Sequence, residues 1–179
     1  MDPRSPSESQ PRLIALNAAV SAGLQAAGHR LSTVRLLTVF SPAVGRVGVA
    51  PLALDDLISE LIDTALAATK PGGTVIVETE QIDAEAGISL ADATLAPGSY
   101  ALMAVSSVAP EPPAPAAANV DRELDGANWS EAVRSLGGGA WVDIEHEAAI
   151  AFNVLLPCAS GARIRLPNAL MPVAFREGY

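Results

Sequence analysis

The clearest pattern of hydrophobic and polar positions in this sequence lies between residues 54 and 79. Apolar residues recur every three or four positions, at 54, 57, 58, 61, 62, 65 and 66, as on one face of an amphipathic helix. The turn Pro71-Gly72-Gly73 should end this helix, and residues 74–79 are rich in the β-branched side chains of a strand. The pattern therefore predicts a helix over 54–69, a glycine turn and a strand. Asp55 and Asp56 would then lie in the first turn of the helix, where its dipole favours negative charge.

Weaker patterns along the rest of the chain predict the remaining elements. Helices are predicted over 12–27 and from Trp129 to Leu136, and strands over 31–40, 99–106, 141–145 and 149–156. Residues 43–51 and 81–97 show no clean period and are predicted to be connections. The order of helices and strands predicts an α/β fold, a two-layer sandwich with helices on one face of a mixed sheet. We expect one domain over 12–157, preceded by a disordered lead-in over 1–11 and followed by a C-terminal extension over 158–179.

The helix, glycine turn and strand of residues 54–79 resemble the N-box region of histidine kinase ATPase domains, the GHKL or Bergerat superfamily. Other pieces are similar to the family in the same order over residues 34–157. Residues 96–106 look like the strand before its G1 box, residues 129–142 like its last helix, turn and strand, and residues 152–157 like its closing strand. The resemblance implies a Bergerat-type sandwich and a place in bacterial two-component signalling.

The residues that would contact nucleotide in such a domain differ in this chain. Thr64 stands where the family has a metal-binding asparagine, with Glu60 one helical turn earlier, and a hydroxyl is a weaker Mg²⁺ ligand than an amide oxygen. Ser107 matches the aspartate that contacts adenine, and Ala109 stands at a glycine position. Asp125 and Gly126 lie where the glycine-rich G2 box should cradle the phosphates. These six residues are thus expected to be vestigial positions of a nucleotide site, with no catalytic residue among them.

Composition narrows the possible partners. The 179-residue chain has a net charge of −9 and no basic run, which argues against nucleic acid as a partner. No apolar stretch is long enough to span a bilayer and no signal peptide is present, so we expect a cytoplasmic protein that does not bind membranes. One cysteine, Cys158, and two histidines give no metal-ligand cluster, and no metal site is expected.

The resemblance leads us to expect a non-catalytic binding or scaffolding module that needs no cofactor. Its partner would be a response regulator receiver domain or a histidine kinase, and a homodimer is possible. One alternative is a histidine phosphotransferase that relays phosphate to a response regulator, for which His29 is the candidate phospho-acceptor. A phospho-acceptor histidine of this family normally lies in the middle of a helix, whereas His29 follows the predicted one. The other alternative is an atypical kinase domain that still binds ATP and Mg²⁺.

Overall fold

A five-stranded mixed sheet forms one layer of the protein. The computed structural model describes residues 10–91, 93–110, 129–145 and 149–159. The strand order is β2-β4-β7-β9-β8, in which β2 and β4 are parallel and all other neighbours are antiparallel. The bounds are Arg35–Phe40 for β2, Thr74–Ala84 for β4, Gly98–Val108 for β7, Gly139–Glu145 for β8 and Ala149–Pro157 for β9. The predicted mixed sheet is confirmed.

Helices cover one face of this sheet and form the second layer. They are α1 (Leu16–Ala26), α2 (Pro51–Ala68) and α3 (Trp129–Ser135), with a 3-10 turn at Arg30–Thr33. The predicted apolar face of α2 is buried at 54, 57, 58, 61, 62 and 65, and Leu66 packs against the same core. The buried partners on the sheet are alternate residues of the central strands, among them Met103, Val105, Phe152 and Val154. The helix-on-sheet sandwich predicted from the order of the elements is therefore present.

Within the described residues, four short strands lie outside the central sheet. β1 (Arg12–Ala15) pairs antiparallel with β3 (Arg46–Val49), and β5 (Ile88–Ser89) pairs antiparallel with β6 (Thr94–Leu95). The β5–β6 hairpin covers part of the sheet face that the helices leave open. A second apolar cluster lies beneath it, formed by Ile82, Ile88, Leu95, Tyr100, Leu102 and Leu155.

Several predicted bounds were wrong. Residues 12–15 are a strand rather than the start of the first helix, because their backbone groups pair with β3. The predicted loop 43–51 contains β3, and α2 begins at Pro51, a residue suited to a first helical position. Asp55 and Asp56 therefore lie beyond the first turn of α2, which holds no acidic residue.

The predicted start of β2 and the predicted end of β4 were also wrong. The first residues of the predicted strand 31–40 form the 3-10 turn, so β2 begins only at Arg35. β4 continues to Ala84, because it pairs with the whole length of β7, and the expected connection 81–97 thus includes its end and the β5–β6 hairpin.

Glycines end two of the helices where the sequence predicted. Gly72 after α2 and Gly137 after α3 have φ values of 80° and 77°, a left-handed conformation that other residues rarely adopt. Gly138 follows Gly137 in the turn after α3, and a Cβ placed on it would overlap the backbone oxygen of Leu155. Both turns thus allow a helix to return directly onto the sheet.

Candidate functional site

The first two candidate positions lie one turn apart on α2. Glu60 and Thr64 are both half-buried, at the border between the buried face of the helix and its solvent face. The Thr64 hydroxyl donates a hydrogen bond to the backbone oxygen of Glu60 at 2.8 Å. This local bond fixes the hydroxyl against its own helix. The oxygen that would replace an amide ligand is thus oriented by the helix backbone.

Ser107 lies on β7 and faces the helical layer. It is opposite Val75 of β4 and is 4% exposed. Its hydroxyl forms a 2.8 Å hydrogen bond with the hydroxyl of Thr69, the residue that caps the end of α2. The Thr69 hydroxyl also donates to the backbone oxygen of Ala65 at 2.6 Å. Since one hydroxyl carries one proton, Ser107 supplies the proton of the bond between the two side chains.

The end of β7 is closely packed against the turn that follows α2. A Cβ placed on Gly73 would lie 2.8 Å from the backbone oxygen of Val108 and 2.9 Å from that of Lys70. Ala109, the next candidate, follows Val108 and is half-buried. The end of α2, its glycine turn and the end of β7 therefore form one continuous contact around Ser107.

The described candidate residues contact α2 at two places, and Ala109 lies beyond the second of them. Glu60 is paired with Thr64, and Ser107 is paired with Thr69, which follows Thr64 by about 7 Å of helix rise. Asp125 and Gly126 lie outside the described residues. Whether the six positions form a nucleotide site stays a prediction.

His29 lies apart from these pairs. It is exposed and immediately precedes the 3-10 turn, where its backbone oxygen accepts a hydrogen bond from the Ser32 hydroxyl at 2.7 Å. The neighbouring Arg30 forms an ion pair with Asp63 of α2, which ties the turn to the helix. The candidate phospho-acceptor thus lies in a turn rather than within a helix, as the sequence predicted.

Sequence reasoning missed a partly buried polar network that joins α1 to the sheet. Thr79 is 3% exposed, and its hydroxyl donates to the Asn17 side-chain oxygen at 2.7 Å. The Asn17 amide donates in turn to the backbone oxygen of Ser41 at 2.9 Å. Asn17 and Thr79 are 62 residues apart, so no local spacing indicates the contact. The bonds give the buried Thr79 and the half-buried Asn17 partners, and the network orients α1 on the sheet.

A second network lies on the opposite face of the sheet. Asp143 accepts hydrogen bonds from the Trp141 indole at 2.9 Å and from the Asn153 amide at 3.0 Å. Asn153 is 6% exposed and interrupts the apolar run 149–156, a signal that the sequence does contain. Because the Asp143 carboxylate accepts hydrogen bonds from two neighbouring side chains, we interpret this cluster as a structural contact.

Among the described titratable groups, two have a pKa that departs from the ordinary value. Burial, and secondarily the negative charge of Glu78, raise the pKa of Glu80. Burial also raises the pKa of the Cys158 thiol; a hydrogen bond from the backbone of Gly45 opposes this, and the charge of Asp83 adds to it. Cys158 is thus held as a thiol, which is a poor nucleophile.

No three His, Cys, Asp or Glu side chains of the described segments are grouped so as to hold a metal ion. None of the helices described here combines the length and apolar character that crossing a bilayer requires.

Solved structures of histidine kinases share this architecture. The mycobacterial sensor kinase MprB aligns with a TM-score of 0.60 at 19% identity, covering 82% of this chain and 97% of that chain. The catalytic domain of the histidine kinase ThkA aligns with a TM-score of 0.61 at 13% identity, covering 83% of this chain and 95% of that chain. No family model matches the sequence, and no curated protein matches it.

A third solved structure is a complex of ThkA with the response regulator protein TrrA. The kinase aligns with a TM-score of 0.60 at 14% identity, covering 83% of this chain but only 42% of that chain. Taken with the mixed sheet, its helical layer and the order of the strands, these alignments show that the chain has the fold of a histidine kinase catalytic, or ATPase, domain.

Proposed function

We propose that this protein is a binding or scaffolding module of two-component signalling that keeps the fold of a histidine kinase ATPase domain and does not bind nucleotide. The observation that carries the proposal is the hydrogen bond between Ser107 and Thr69. It ties the Ser107 side chain to the end of α2, at the position where the resemblance expects a carboxylate to accept a hydrogen bond from adenine.

The energetics of these positions support the proposal. Ser107 donates its one proton to Thr69, so an adenine amino group would have to reach the remaining lone pairs of a hydroxyl that is 4% exposed and held against the end of α2. Turning the Ser107 hydroxyl away from Thr69 to expose it to a ligand would break that bond, and leaving a buried polar group without its partner costs about 1–3 kcal/mol. A carboxylate would have supplied a stronger, charge-assisted bond.

The metal position adds to this argument. The proton of the Thr64 hydroxyl is bonded to the Glu60 backbone oxygen, and a neutral hydroxyl is a weak ligand for a hard cation such as Mg²⁺. Glu60 carries a carboxylate one turn away on the same helix, and it is half-buried. We infer that neither half of a metal–nucleotide complex is held well.

A receiver domain of a response regulator is the proposed partner. Support comes from the fold and from the solved complex of the structurally similar kinase ThkA with its response regulator. The acidic character of the chain, −9 overall, would favour a partner surface with basic residues.

Isothermal titration calorimetry tests both parts of the proposal. Titration of the full chain with Mg-ATP and with Mg-ADP should give no heat of binding up to about 1 mM, which corresponds to less than about 4 kcal/mol of binding free energy. Titration with a panel of isolated receiver domains should give a saturable isotherm with at least one of them. A micromolar, metal-dependent affinity for either nucleotide contradicts the first part, and failure with every receiver contradicts the second.

The exposure of His29 favours one alternative, a histidine phosphotransferase. An exposed imidazole can reach the phosphorylated aspartate of a receiver domain without opening of the fold. Incubation with a phosphorylated receiver, comparing the wild type with His29→Ala, distinguishes the two functions. The proposed module acquires no phosphate in either form, whereas a phosphotransferase is labelled only when His29 is present.

A further inference from the structure

The outer edge of β2 presents unpaired backbone groups. β2 is the first strand of the sheet, and none of the described segments pairs with its outer side. The Arg35 and Ser41 N–H groups both donate to the β4 side, to Gly73 and Thr79. Because backbone groups alternate in direction along a strand, the N–H and C=O groups of Leu37 and Val39 also point towards β4. The N–H and C=O groups of Leu36, Thr38 and Phe40 therefore point outwards.

The open face of the same strand is apolar and exposed. Leu37 is 47% exposed and Val39 is 57% exposed, two of the four most exposed large hydrophobic residues described. Their neighbours across the sheet are Ile76 and Glu78 of β4. The β5–β6 hairpin covers the other part of this face, near Leu102 and Leu155. An unpaired edge beside exposed apolar residues is a site for addition of another strand.

The described chain ends while it runs towards this edge. Cys158 forms an antiparallel bridge with Val47, and the Ala159 N–H donates to the backbone oxygen of Arg46 at 2.8 Å. The chain thus runs antiparallel to β3, towards the segment that joins β3 to β2. A turn in that segment, in which the Val44 N–H donates to the Ser41 oxygen at 3.5 Å, shortens the path to the end of β2.

The sequence beyond Ala159 has the pattern of an edge strand. Residues 163–166 read Arg-Ile-Arg-Leu, with polar and apolar residues alternating, and Pro167 follows. Proline lacks the N–H that a sheet ladder needs, so the strand would end there. Residues 160–179 carry three arginines and one glutamate, a charge opposite to the −9 of the whole chain.

We propose that residues 163–166 of this chain add to the sheet as an antiparallel strand beside β2. Ile164 and Leu166 then lie on the open face, where they cover Leu37 and Val39. Three residues lie between Ala159 and Arg163. The four steps from Ala159 to Arg163 span up to about 14 Å when extended, enough to pass the turn after β2. The sheet becomes six-stranded, and the segment removes an edge that would otherwise recruit other chains.

Hydrogen exchange of individual amides, measured by NMR on the full chain, tests this proposal. The outward amides of Leu36, Thr38 and Phe40 should exchange slowly, as slowly as those of Leu37 and Val39. In the variant Ile164→Asp/Leu166→Asp, the three outward amides should exchange roughly tenfold faster or more, while the amides bonded to β4 stay protected. The matched control, Ala169→Asp/Ala174→Asp, carries the same added charge outside the proposed strand and should leave all five amides unchanged.

Three results would overturn the proposal. One is rapid exchange of the outward amides in the wild type. Another is protection that survives in Ile164→Asp/Leu166→Asp. The third is protection that disappears on dilution, which would assign the edge to a second copy of the chain. None of these depends on whether nucleotide binds, so the test is independent of the proposed function.

Discussion

The hydrogen bond between Thr69 and Ser107 can be measured with a double-mutant cycle of Thr69→Val, Ser107→Ala and the double variant. Thr69→Val keeps the shape of the side chain but removes the bonds to Ser107 and to the Ala65 backbone oxygen. In the Ser107→Ala background the same change removes only the bond to Ala65. The difference between the two backgrounds therefore isolates the bond between the side chains.

The expected coupling is about 1 kcal/mol. A neutral hydrogen bond contributes about 0.5–1.5 kcal/mol to stability. The upper half of this range is favoured because Ser107 is 4% exposed, so water cannot easily replace the lost partner. Ser107→Ala alone should destabilise the protein by about 1–2 kcal/mol, since it leaves the Thr69 oxygen without its donor.

Urea unfolding of the four proteins, followed by far-UV circular dichroism, gives the free energies of unfolding. With m-values of about 1–3 kcal/mol/M, a 1 kcal/mol coupling shifts the transition midpoint by roughly 0.3–1 M. Ser106→Ala is the matched control, because the neighbouring residue points to the opposite face of β7 and has no part in this bond. A coupling below about 0.3 kcal/mol, the usual limit of additivity, would refute the claim that this bond holds the Ser107 hydroxyl against the end of α2.

Three other substitutions test the fold and its electrostatics. Gly138→Ala should destabilise the protein by several kcal/mol or prevent folding, because the new Cβ overlaps a backbone oxygen. The control Gly48→Ala should fold with little change in melting temperature, because its Cβ would meet only a side-chain carbon at 4.0 Å. Phe152→Ala should cost about 3–5 kcal/mol in urea unfolding, since the ring is fully buried edge-on against Trp129 at 6.2 Å; a loss below 1 kcal/mol would contradict this packing. Burial raises the pKa of Glu80, so the folded protein favours the protonated carboxyl. The contribution of Glu80 to stability is therefore most favourable below the carboxyl pKa of the unfolded chain, about 4.3. This contribution is lost as the pH rises through the raised pKa of the folded protein. Glu80→Gln should therefore be more stable than the wild type at pH 7, with the difference shrinking towards pH 4; an equal difference at both pH values would exclude the charge as the cause.

The central elements were predictable because each has a strong local pattern. The apolar spacing of α2 predicted the face that is buried at Leu57 and Leu61, and the glycine turns predicted where two helices end. β3 and the β5–β6 hairpin were missed because they are two to four residues long and exist through pairing with partners elsewhere in the chain. Such pairing leaves little periodicity in the sequence.

The sequence proposed the candidate site as a set of positions, which stays a prediction, and it did not predict their contacts. The resemblance placed Thr64 and Ser107 at the positions of the family's ligands. It gave no indication that Ser107 bonds to Thr69, which lies 38 residues earlier. The same holds for Asn17 and Thr79, since partners across the two layers are fixed by helix packing and not by local spacing.

The central claim, that the surviving framework holds no nucleotide, is tested most directly by following the backbone amide signals of Thr64, Thr69 and Ser107 while Mg-ATP is added to the ¹⁵N-labelled chain. The account predicts that these three signals stay in place up to millimolar Mg-ATP. Saturable movement of these signals at micromolar concentration, dependent on Mg²⁺, would contradict it.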